Sequence, residues 1–136
     1  MKNKIFNITT AEIEGIKSKV EQDSTGFLAE IDGKYISTLE EYLSCVSELF
    51  RFPMLSDDYK LSWDGYLDWI RDLDWLGKDS YTLIIHDYKS FLANDLELKK
   101  MIMDDFEEII LPWWQEDVEK FCVGGKAKPF NVYLVD

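Results

Sequence analysis

The sequence predicts an α/β fold built on a small parallel sheet, and three observations carry that prediction. Short runs at 27–31, 81–85 and 130–135 have the length and apolar content of strands. The segments between them place apolar residues at i, i+3, i+4 and i+7, the period of one buried helix face. Each connection is long enough to hold a helix, and a helical crossover returns the chain in the same direction, so neighbouring strands are expected to run parallel. With 136 residues, 46% of them hydrophobic, the chain suits one core that needs no disulfide or metal.

The elements follow in order. Residues 1–25 read as an accessory helix, with a Thr9-x-x-Glu12 capping box ahead of Ile13, Ile16 and Val20. Ser24-Thr25-Gly26 breaks it, and Phe27 to Ile31 form a strand closed by an Asp32-Gly33 turn. Ser37 with Glu40 marks the next helix start, whose buried face is Leu39, Tyr42, Leu43, Val46 and Leu49 and which Pro53 stops. Another helix opens at Ser62, with Trp63, Tyr66, Leu67, Ile70 and Leu73 on one side. Tyr81 to Ile85 are apolar almost throughout, as in a strand covered on both faces. A helical turn is expected around 90–93, then a long amphipathic pattern from 95 to 121 in which Pro112 must kink the helix or begin a new one. Gly124-Gly125 ends it, and Phe130 to Val135 make the last strand.

Charge narrows the function. The net charge is −12, which repels nucleic acid phosphates and excludes direct DNA or RNA binding. An acidic surface can also serve solubility alone, so the placement of the acids matters. Residues 26–119 hold 22 acids against 8 bases, a local charge of −14. Between 57 and 79 lie seven carboxylates, all Asp. On the helix from Ser62, Asp64, Asp68 and Asp72 at i, i+4 and i+8 fall within about 80° of one another and form an acidic stripe. Like charges at that spacing cost roughly 0.2–0.5 kcal/mol a pair, which Arg71 relieves in part, so helix stability alone does not select the pattern. Asp64 in the first turn is, by contrast, favoured by the helix dipole.

Other chemistry finds little footing. No apolar stretch reaches the ~18 residues of a membrane span, and Met1 to Asn7 lack the apolar core of a signal peptide, so a cytoplasmic protein is expected. Cys45 and Cys122 read as reduced thiols, too few for a zinc site. His86 reads as a satisfied histidine without a catalytic partner. Asp57-Asp58 and the later acids lack EF-hand spacing. Trp69 and Trp75 suit core packing better than interface anchoring, and Trp113-Trp114 are structural. Exposed helical Asp pairs lack the desolvated pocket of a hydrolytic acid and base, so no enzyme, catalytic residue, cofactor or metal is expected.

The run Ser62-Trp63-Asp64-Gly65-Tyr66-Leu67-Asp68-Trp69-Ile70-Arg71-Asp72-Leu73-Asp74-Trp75-Leu76 resembles the signature of the barstar family. Ile31-Asp32-Gly33 before a helix, Phe52-Pro53 after it, and the C-terminal Phe130-Asn131-Val132-Tyr133-Leu134 fall in the family's order, so the resemblance covers about 27–136. It implies a barstar-like domain over 26–136, with a three-stranded parallel sheet flanked by helices, and residues 1–25 as an additional N-terminal helix. It also implies an intracellular inhibitor, the immunity partner of a ribonuclease, that blocks a basic active site with the second family helix and the loop before it. Asp64 and Asp68 match the two family acids, and Asp68 would take the place of a substrate phosphate. Ser62 stands where the family commonly has Asn, and Leu67 where barstar itself has an aromatic. Tyr59 in the preceding loop is either the aromatic contact such loops make or a plain surface tyrosine. The family's last-helix Glu could be Glu107, Glu108 or Glu116. The alternative is a non-inhibitory module of the same fold that binds another basic protein.

Overall fold

The computed structural model describes residues 2–53 and 60–136. Four strands form one sheet in the order β1-β4-β3-β2, with β1 at Ile5–Ile8, β2 at Gly26–Asp32, β3 at Ser80–His86 and β4 at Phe130–Val135. Every pairing is parallel. The expected count of three strands is therefore corrected to four. The added strand, β1, sets Ile5 against Val132 and Ile8 against Val135. Its partner lies at the other end of the chain, which is why a four-residue run with three apolar positions gave no local sign of pairing.

Helix α1 (Ile13–Gln22) follows β1, and its Thr9/Glu12 capping box is present. From β2 to β3 to β4 the chain steps one way across the sheet, whereas β1 to β2 crosses back over its whole width. Right-handed crossovers then put α1 on one face and the later helices on the other. Lys17 of α1 accordingly pairs at 3.5 Å with Glu30, on the face opposite Ala29 and Ile31.

The main core lies on that opposite face in three cross-strand rows: Phe27, Tyr81 and Phe130; Ala29, Leu83 and Val132; Ile31, Ile85 and Leu134. Against it pack α2 (Leu39–Leu49), α3 (Trp63–Ile70) and a helical run made of α4 (Leu96–Asp105), π turns and α5 (Val118–Phe121). The cap of α2 is Thr38 with Glu41, one residue beyond the expected Ser37 and Glu40; Ser37 also donates to Glu41. The helix stops before Pro53: Arg51 takes φ 54°, and the Phe52 N–H bonds the Ser47 carbonyl at 2.9 Å, a Schellman turn without glycine. The helical turn expected at 90–93 sits instead at Tyr88–Ser90.

The long run does not restart at Pro112 but stays helical from Leu96 to Phe121. Pro112 has no N–H to give the preceding turn, and π turns at Phe106–Ile110 and Trp113–Asp117 flank it, so the helix widens and continues. The Leu111 carbonyl takes the side-chain amide of Asn3, the one buried polar residue among those described. Asn3 also donates to Lys128, accepts from the Phe130 N–H and bonds Gln115 through its backbone, so it fastens the N-terminal segment to both the long helix and β4.

Two tyrosines join α2 to α3. Tyr42 and Tyr66, both fully buried, share a 2.7 Å hydroxyl hydrogen bond. Burial, first among the causes, raises the pKa of both above the usual tyrosine value and keeps the hydroxyls protonated. Either single change to Phe strands a buried hydroxyl and is expected to cost about 1–3 kcal/mol, while the double change costs less than the sum, measurable as a double-mutant cycle by denaturant unfolding. Burial, with Asp74, Asp79 and Asp72 adding to it, pushes Tyr81 up to about 12. The unfolded chain releases that proton near pH 10, the folded one near 12, so the stability is present below 10 and lost as pH rises through about 12. The melting temperature should fall across that window in step with tyrosinate absorbance.

Candidate functional site

Helix α3 carries the site, and its sequence explains its start. Ser62 is the N-cap, its hydroxyl accepting from the Gly65 N–H at 3.0 Å. Asp64 follows in the first turn, where the dipole favours a carboxylate. Asp64 and Asp68 are both exposed and one turn apart on the same face. Leu67, half-buried, packs its side chain on the core and lends its carbonyl to Arg71 Nε at 3.0 Å.

The third member of the expected stripe is not on the helix. Helix α3 ends at Ile70, Arg71 caps it, and Leu73 swings into the left-handed region at φ 58° with its side chain fully buried. Non-glycine residues enter that region at a cost of order 1–3 kcal/mol, which burial of Leu73 and the new partners of the helix end offset. Asp72 instead accepts the Asp74 N–H at 3.2 Å and shapes the turn. The stripe is thus a pair, Asp64 and Asp68.

What holds that pair in place is a set of indoles. The last carbonyls of a helix have no partner within it. Trp114 Nε1 donates to the Ile70 carbonyl at 3.0 Å and Trp113 Nε1 to the Arg71 carbonyl at 2.8 Å. At the other end Trp63 Nε1 donates to Asp105 of α4 at 2.9 Å. Trp75 Nε1 bonds the Phe50 carbonyl at the end of α2, and Trp69 packs edge-to-face on Trp75. All five tryptophans are therefore built into the frame around α3. Trp63 counted in the sequence only as an apolar position; the need of a half-buried indole for an acceptor was readable there, but which acid supplies it was not.

The long helix adds acids from two sides. Glu108 shares a shallow cleft with Asp104 and Asp105, next to the start of α3 through the Trp63 bond. Glu107 and Glu116 line a different cleft, against Lys2, Lys4 and Asn3. Of the three open glutamates, Glu108 is the one that shares a cleft with Asp105, the acceptor of the Trp63 indole. Tyr59 lies outside the described residues. His86 bonds Glu30 at 2.9 Å, the satisfied histidine expected. Among the described residues no group of His, Cys, Asp and Glu is arranged to hold a metal, and no helix is long and apolar enough to cross a membrane.

Fold and site together define a class: a small α/β protein that displays carboxylates on a short helix braced from behind. The chain belongs to the barstar family, whose model, described as Barstar (barnase inhibitor), matches residues 27–132. That is a family of inhibitors rather than catalysts, and its members bind ribonucleases. No curated protein and no solved structure matches the chain.

Replacing Trp114 with Phe keeps the ring but leaves the Ile70 carbonyl without its donor. The expected loss is about 1–3 kcal/mol of stability with faster amide exchange over the last turn of α3, read by hydrogen exchange.

Proposed function

We propose that this chain inhibits a ribonuclease in the cytoplasm, as the immunity partner of a toxin or secreted enzyme, by laying α3 into its basic active site. The observation that carries the reading is the exposed Asp64/Asp68 pair on a helix fastened at both ends, in a chain of the barnase-inhibitor family. A nuclease cleft gathers Arg and Lys to hold phosphates. A rigid helix that brings carboxylates to those cations replaces the phosphates while losing little side-chain freedom.

In this reading Asp68 takes the phosphate position and Asp64 pairs at the rim. Ser62 and Leu67 shape the edge of the contact, and Tyr59 supplies its aromatic. The wider charge of the chain speeds encounter with a basic partner. Residues 26–136 act as the barstar-like unit, and residues 1–25 as an addition to it.

The test is inhibition of a barnase-type ribonuclease by the purified chain, with binding followed by calorimetry. Asp68→Ala should weaken the complex by about 2–5 kcal/mol, the general range for a buried charge pair that loses one partner, to which barnase and barstar themselves contribute, and not a value derived from this chain. Asp64→Ala should weaken it less, and neither should shift the melting temperature by more than a surface change does. A chain that binds such an enzyme without lowering its activity, or that leaves every such enzyme unbound, sinks the proposal.

A further inference from the structure

Asp68 does not stand free on its helix. Arg71 Nη2 holds its Oδ1 at 3.2 Å. A basic residue beside the acid meant for a basic partner works against attraction, so its presence calls for a physical reason. The reason lies in how Arg71 is itself held. Its Nε donates to the Leu67 carbonyl at 3.0 Å. Its guanidinium lies over the Trp113 ring, 5.5 Å from the centroid, and its own carbonyl accepts from the same indole at 2.8 Å. The side chain is anchored on its own helix, on the long helix and along its backbone before it meets Asp68.

We propose that Arg71 is the positioning residue for Asp68, converting a mobile surface carboxylate into one preset for its partner. An ordinary exposed ion pair contributes little because two long side chains must be ordered to form it. Here the arginine is already ordered by contacts that do not involve Asp68, and the short Asp side chain has only one further torsion of consequence to fix. Oδ1 is engaged, and Oδ2 makes no hydrogen bond or ion pair to the described residues. Asp64, one turn earlier, has no such holder among the described residues. The two acids therefore differ in kind: Asp68 is aimed, Asp64 adjusts. Lysine could not replace Arg71, since a single ammonium cannot reach a backbone carbonyl and a carboxylate with the spread of a planar fork while also stacking on an indole.

The consequence for binding rests on the inhibitor reading, but the positioning itself does not, and one pair of measurements separates them. In the free protein, three-bond couplings to the side-chain carboxyl carbon of Asp68 should report a single rotamer, and Arg71→Lys should average them while those of Asp64 stay as they were. Unchanged Asp68 couplings in Arg71→Lys overturn the proposal, whether or not any nuclease binds. With a barnase-type ribonuclease bound, Arg71→Lys keeps the charge, so the association rate should hold while dissociation speeds up about two- to fivefold, the factor that a weak ion pair's preset geometry is worth. A dissociation rate equal to that of the unaltered chain also overturns it. If averaging appears and no nuclease binds, the positioning stands and the inhibitor reading falls.

Discussion

Helix α3 has eight residues, too few to hold together in water by its own hydrogen bonds, and everything the acidic face can do depends on the indole N–H groups that complete it. A helix C-terminus leaves carbonyls without partners, and burying them unpaired against the rest of the protein would cost more than the packing returns. Trp114 and Trp113 supply donors at one end, and Trp63 ties the other to Asp105. Each is also a large apolar surface, so one residue both fills the gap between helices and satisfies the backbone. The long helix is thereby the ruler for α3: residues 105 to 114 set where the short helix begins and ends.

That ruler is itself adjusted by Pro112. A regular α-helix would have to place an N–H where proline has none. The π turns on either side widen the run instead, and Trp113 and Trp114 fall in the second of them. The Leu111 carbonyl in the same stretch is taken by Asn3, so the N-terminal strand and the brace of α3 meet at one point of the long helix. The segment before the family match is in this way joined to the element that positions the site, and β1 closes the β4 edge of the sheet as well.

The excess of acid has more than one use. Asp95 caps α4, Asp32 caps the turn after β2, Glu41 closes the box at the start of α2, and Asp105 accepts an indole. Hydroxyl and amide donors from Thr25 hold the Asp23 carboxyl below its usual range, and those of Ser37 do the same for Glu41. Asp64 and Asp68 sit exposed on one face of α3, as Glu40 and Glu48 do on α2 and Glu97, Glu107 and Glu108 on the long helix. The net charge argued against a nucleic acid partner; it did not single out the pair.

Local sequence determined the class of fold, the parallel strands β2, β3 and β4, the Ser62 cap and the family to which the run from Ser62 to Leu76 belongs. These are written in periodicity, turn chemistry and contiguous motifs, which act over a few residues. Tertiary structure decided what depends on partners distant in the chain. It added β1, whose pairing residues lie some 127 positions away. It ended α3 at Ile70 and removed Asp72 from the stripe, because indoles from the long helix and a buried Leu73 outweigh the helical tendency of Arg71 to Leu73. It put Glu108 in a cleft with Asp104 and Asp105, and Glu107 and Glu116 in another against the N-terminal segment, a division set by which distant elements pack on the long helix.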